Sequence, residues 1–375
     1  MLAGLRLVDH HCHSIVGEDL DRPAFEALLT EAADPAAAGE STFDTPLGVA
    51  LRRWCAPVLD LPAHAPPEQY LARRAELGAA EANRRLLQAA GASDLLLDDY
   101  RPAELLDAAA LGAASGARVH RVERLESVAE EVAGTGVPAV GFARQLASTL
   151  AARAAGAVGL KSVAAYRTGL DLDPSRPEPA EVTAAAGGWL ARGERAPAYR
   201  LDDPVLTRFL LWTAVDLGMP LQVHTGFGDP DLRLPRSTPA LLGDFCAAVG
   251  GTGASVLLLH CYPYHREAAY LASVHPHVYL DVGLALNHVG AGAATVLAEA
   301  LELAPFGKLL YSSDAFGLAE LHHLGALQFR RALGRLLDRW VADGDMAGAD
   351  AERYATMIGA GTARRLYALD TPGRR

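Results

Sequence analysis

A chain of 375 residues, half of them hydrophobic, can bury a large core, and its formal net charge of −11 argues against a nucleic-acid binder, which carries a basic patch or stripe. No apolar run approaches the roughly 20 residues that cross a bilayer, and MLAGLRLVDH enters a strand without a signal peptide's apolar region, so a cytoplasmic protein without membrane partner is expected. Cys12, Cys55, Cys246 and Cys261 lack the paired CxxC spacing of a zinc ribbon or disulfide framework and are read as free thiols.

The first strand-like run, LRLVDHH (5–11), leads into the string VDHHCHSIV. Residues two apart on a strand share a face, so His11 and His13 converge on one point. His10 falls out of phase and is expected on the opposite side as a structural residue. Asp9 is read as a partner that orients a ligand or the strand end. Residues 17–92, rich in Ala, Leu, Arg and Glu, predict a helical insertion between strands 1 and 2 that lies over the mouth of the fold. Strand candidates follow at 94–100 and 118–123. The run AVGLKSV (157–163) carries Lys161, and a turn-rich excursion over 165–203 comes next. PLQVHT (220–225) ends near His224, SVLLLHC (255–261) near His260, and KLLYSSD (308–314) at Asp314, with VYLDVGL (278–284) between the last two. His265 is read as opening a helix and His288 lies just beyond strand seven. From about 317 the chain reads as helical and includes His322 and His323; these four histidines could serve the catalytic face or only packing.

Eight strand-like runs alternating with amphipathic segments predict a parallel sheet closed into a (β/α)8 TIM barrel, with residues 1–375 as one domain. An open doubly wound sheet is the alternative, but no GxGxxG loop follows the first strand. In a barrel, strand C-terminal ends build the active site, which is where His11, His13, Lys161, His224, His260 and Asp314 fall. The insertion and the 165–203 excursion are expected to cover that site.

Of the 34 basic residues only Lys161 and Lys308 are lysine, so wherever positive charge alone would serve, this chain has arginine. An amine can be deprotonated and modified where a guanidinium cannot, which singles out Lys161 at its strand end; an ion-pairing lysine is the alternative. Lys308 begins the last strand and is read as structural. For a carboxylated substrate, Arg167 in KSVAAYRTG offers two parallel hydrogen bonds and Tyr166 a hydroxyl; a salt bridge closing the loop is the equal alternative for Arg167.

The ordered set HxH, Lys, His, His, Asp resembles the amidohydrolase superfamily of metal-dependent barrel hydrolases, over Asp9 to Asp314. VDHHCHSIV, LKSVAAYRTGL, HCYPYHREAAYLA and YSSDA are similar to the branch whose plant and fungal members are fused to glutamine-synthetase-like domains. The resemblance implies one metal on His11, His13 and Asp314, a second on His224 and His260, and a carbon dioxide adduct of Lys161, a carbamate, bridging them. One or two divalent ions are expected, with zinc favoured for imidazole and carboxylate donors. Asp314 would act as acid and base while a metal-bound hydroxide cleaves a C–N amide-type bond of a small carboxylated substrate, such as a γ-glutamyl amide. His265 and His288, with Tyr166 and Arg167, are the substrate-binding candidates. Two competitors stand beside this reading. One is a non-hydrolytic decarboxylase of the same superfamily with a single metal; the other is an inactive barrel used for assembly, which the full ligand set argues against. A small-molecule substrate is the expected partner, and a homo-oligomer is compatible with the chain.

Overall fold

The computed structural model describes residues 2, 4–100 and 102–371. Its seven strands are β1 (Leu7–Cys12), β2 (Ala92–Asp98), β3 (Arg118–Arg124), β4 (Gly159–Ser162), β5 (Leu221–Thr225), β6 (Val256–His260) and β7 (Val278–Leu280). They pair in chain order, every pair parallel, with helices in the connections. Apolar runs such as LLL in β2 and VLLL in β6 reflect a parallel sheet covered on both faces, while the polar residues of the other strands gather in the lumen and at strand ends. The eighth predicted strand is an extended segment without a full ladder. Its backbone still stitches the sheet edges together: Leu310 N donates to Leu280 O at 3.0 Å, and across β1 His10 N donates to Tyr311 O and Asp314 N to His11 O, both at 3.1 Å. The α/β barrel expected from the alternation is the fold.

Leu96 of β2 and Leu257 of β6 belong to one buried cluster with Val8, Val122 and Leu310, and residues of strands so far apart meet only across a lumen. Tyr367, from the C-terminal helical region, joins that cluster and plugs the lumen floor. Alternate residues, such as Leu7, Leu160, Val223 and Leu258, face the surrounding helices. This phase places Asp98, Arg124, Lys161, Gln222 and His224 inside the barrel, above the apolar floor.

Between β1 and β2 the helices Arg22–Ala27 and Pro46–Trp54 each start on a side-chain cap, Asp21 accepting from Ala24 N at 2.9 Å and Thr45 from Gly48 N at 3.1 Å, with proline in the first turn. With Pro67–Leu77 they share a second core in which Phe25, Phe43 and Tyr70 meet Leu318 and Leu324. Buried Glu320 anchors the layer, accepting from Tyr70 Oη and Arg74 Nε, both at 2.9 Å. The helix Ala79–Ala90 touches helices Ala108–Ser115 and Ala319–Ala342, so it takes the ring position that follows β1. Only residues 27–33 of the insertion reach the catalytic mouth. In the 165–203 excursion, helix Pro179–Gly193 packs outward, Trp189 against Phe142 at 5.5 Å, leaving Tyr166, Arg167 and Arg200 at the mouth. Among the described residues no helix is long and apolar enough to cross a membrane.

Candidate metal centre

At the C-terminal ends of the strands, Asp314 lies among three imidazoles. Its Oδ1 is 3.1 Å from His11 Nε2 and 3.5 Å from His13 Nε2, and its Oδ2 is 3.3 Å from His260 Nδ1. The His224 ring lies tilted with its centroid 4.7 Å from that of His260, and Lys161 Nζ is 3.1 Å from His11 Nε2. Ligand atoms of His11, His260 and Asp314 all lie within 4.8 Å of one another, as do those of His11, His13 and Asp98. Backbone geometry aims two of these groups. His260 shares the outward phase of Leu258, but its φ of 67° swings the side chain inward; Asp314 has φ 48°. Left-handed backbone at such residues costs about 1–3 kcal/mol each, a strain typical of functional positions.

The tautomer of His11 follows from its neighbours. Gln222 Nε2 donates to His10 O at 2.7 Å, an atom that can only accept, so Gln222 Oε1 faces His11 Nδ1 at 2.9 Å and receives its proton. His11 Nε2 is left as an acceptor 3.1 Å from an acceptor oxygen of Asp314. Protonating the ring does not relieve that contact: burial first, then Lys161, push His11 down to about 3. Burial likewise holds His224 and His260 below the usual histidine range. For Asp314 burial alone would raise the pKa, but His260 and the contacts from His11 and His13 outweigh it and hold the carboxyl well below its ordinary value. His224 Nε2 and His260 Nε2 are buried without a hydrogen-bond partner among the described residues. Neutral imidazoles and an ionised carboxylate, crowded acceptor to acceptor, are the donor set a divalent cation holds together. The residues present fit such an ion.

Several expectations change in the structure. The pairing of β1 slips between Asp9 and Cys12, so His10 also points into the lumen, one layer below His11, rather than to the opposite side. There its Nε2 meets Asp281 Oδ2 at 2.9 Å and its Nδ1 meets Tyr367 Oη at 3.1 Å, a structural role. Asp9 lies behind β1 and accepts from Ser313 N at 2.9 Å, which fixes the backbone next to Asp314. Burial raises Asp9 to about 7. His322 lies behind β1 with Asp9, beside a cavity of about 10 Å³. His265 does not line the catalytic cavity; it is held by Glu299 at 2.8 Å. His323 is buried away from the cavity as well. His288 does line it, 3.6 Å from Glu31, as do Tyr166, with its ring 4.5 Å from that of His224, and Arg167. Arg167 is already engaged by Glu130 at 2.8 Å, the salt-bridge alternative. Sequence reasoning missed Arg124, which grips Asp98 through two bonds of 3.0 and 2.8 Å. Both end their strands, the same signal that picked out the other site residues.

Gln222 gives a first prediction. Gln222→Leu strands His11 Nδ1 and His10 O in the lumen and leaves Tyr367 Oη with His10 alone, so stability should fall by about 3 kcal/mol or more. Metal affinity should fall about 10–100-fold, because the amide sets which ring nitrogen is free. Denaturant midpoints and a metal titration read the two effects separately. Unchanged affinity would mean that His11 keeps its tautomer without the amide.

Strand-end histidines and a carboxylate gathered at the mouth of a parallel barrel define a metal-dependent barrel enzyme. The chain belongs to the amidohydrolase family, whose sequence pattern it matches over residues 8–369. It is 36% identical over 223 residues to protein fluG of Emericella nidulans, a match that takes in 57% of this chain and 26% of fluG, so the chain spans about a quarter of that relative. Among solved structures it is similar to a Lactobacillus casei protein described as a metal-dependent hydrolase, with a TM-score of 0.86, 30% identity, and 98% and 96% of the two chains covered. Glucuronate isomerase from Caulobacter crescentus shares the fold at a TM-score of 0.69 and 16% identity, covering 99% and 93%.

Proposed function

We propose that this enzyme hydrolyses a C–N amide-type bond of a small carboxylated substrate, with a γ-glutamyl amide as the favoured class. The observation behind the reading is the acceptor cluster of His11, His13, His224, His260 and Asp314 at the base of a cavity of about 660 Å³, a size that suits a small molecule. Held by these residues, a divalent ion supplies carbonyl polarisation and a more acidic water. Ionised Asp314 accepts a proton from water in the cavity and returns it to the leaving nitrogen. Arg124, which keeps its two bonds to Asp98, and Arg200, 3.1 Å from Asp231, line the wall as cations whose remaining N–H groups a substrate carboxylate would share, and Tyr166 adds a hydroxyl. The preference for a γ-glutamyl group rests on the resemblance to the glutamine-synthetase-associated branch.

Zinc-loaded protein screened against γ-glutamyl amides, dipeptides, lactones and aromatic carboxylates tests the proposal. Release of amine from a γ-glutamyl amide is the expected result. It should vanish in His11→Ala/His13→Ala, which elemental analysis should find depleted of metal. Release of carbon dioxide from aromatic carboxylates, with every amide inert, would replace hydrolysis by the decarboxylase reading.

A further inference from the structure

The segment that supplies Asn287 and His288 to the catalytic cavity continues as Val289, Gly290 and Ala291 into the wall of a second cavity, about 600 Å³ in volume. Three arginines line this second space: Arg53, Arg331 and Arg335. None forms an ion pair among the described residues, in a chain whose net charge is −11. The Cζ atoms of Arg53 and Arg331 sit 4.1 and 4.2 Å from the ring centroid of Trp54, so the indole spaces two guanidiniums without neutralising them. Asp44, the one carboxylate on the wall, is exposed and pairs with none of the three. Burial first, and then the neighbouring cations Arg335 and Arg53, push the Arg331 guanidinium below its ordinary value.

The rest of the lining says what would neutralise these cations. Gln328 is 6% exposed, and its amide nitrogen has no hydrogen-bond partner. Val49, Ala293 and Ala294 make an apolar wall. Guanidiniums match carboxylate and phosphate oxygens two bonds at a time, while the apolar wall suits hydrocarbon or an aromatic ring. A space of this volume holds a small molecule rather than a folded partner.

We propose that this groove binds a small organic anion, a carboxylate or phosphate head on an apolar body, at a site separate from the metal centre. Its occupant would press on the same segment that carries Asn287 and His288, so the two cavities share one wall. The test is calorimetric titration of the full chain with phenyl phosphate and with hexanoate, beside inorganic phosphate, 1-hexanol and a hexaglutamate peptide. Saturable binding of phenyl phosphate or hexanoate is expected, with weaker binding of inorganic phosphate and none of 1-hexanol; which head binds tighter separates phosphate from carboxylate ligands. Arg331→Gln/Arg335→Gln should weaken that binding about tenfold or more, since charge-assisted hydrogen bonds are lost. Arg335→Gln alone, at an exposed position, should show a smaller loss in a fold that is not in question. His11→Ala/His13→Ala should bind as the parent does. Binding unchanged in both arginine variants, binding lost in the histidine pair, or no saturable binding of either organic anion would overturn the proposal. Tighter binding of hexaglutamate than of both would overturn it in favour of a docking surface for acidic chains.

Discussion

Asp314→Asn should fold as the parent does and keep metal, yet lose about 10²–10⁴-fold in turnover of whichever amide proves to be the substrate. Asparagine preserves the shape and one oxygen donor, so the acceptor cluster around His11, His13 and His260 can still close on a cation. What it removes is a carboxylate that lies well below its ordinary range and is therefore ionised, and with it the group that can accept a proton. Metal content by elemental analysis, thermal unfolding and kcat should therefore separate: the first two near the parent, the third collapsed. An Asn variant with parental kcat would transfer the base role. The structure leaves His288 as the successor, because it lines the cavity, whereas His265 is tied to Glu299 outside it.

The residues that the sequence made legible share one property: they end strands whose apolar runs announce themselves. His224 and Lys161 follow the two-residue phase of β5 and β4 into the lumen, so simple alternation sufficed. Alternation misled at β1, because the slipped register between Asp9 and Cys12 turns His10 inward, and a register irregularity has no composition of its own. It would have misled at His260 too, whose phase points outward and whose left-handed φ reverses it. Gln222 and Tyr367 were invisible for another reason. Their roles exist only because residues 145 positions apart meet in the lumen at 2.8 Å, and no local pattern carries that contact. The insertion between β1 and β2 was legible as helical, but not where it gives way to the ring helix Ala79–Ala90, since both segments are amphipathic.

Lys161 should carry one carbon dioxide in the active form, and Lys161→Arg should lose activity although it conserves charge. The amine is buried, and desolvation pushes its pKa down against the pull of Asp98 and Asp314 in the other direction. Once the ammonium has given up its proton, the neutral amine can attack carbon dioxide, forming an N–C bond as one C=O π bond opens and releasing a second proton, so a group that began as a cation ends as an anion. That reversal fits the surroundings. Lys161 Nζ sits 3.1 Å from His11 Nε2, where an ammonium would repel the ion that the imidazoles and Asp314 are arranged to hold. Arginine stays protonated, cannot take up carbon dioxide and is bulkier in a side-chain space without exposed surface, so both metal content and turnover should drop. Intact-protein mass under bicarbonate should show the adduct on the parent and none on the variant, and elemental analysis should approach two ions per chain only for the parent. A fully active parent with a bare Lys161 and one ion per chain would end the binuclear mechanism and leave a mononuclear hydrolase or the decarboxylase alternative, which uses the same His11, His13, His224, His260 and Asp314 frame with a single ion.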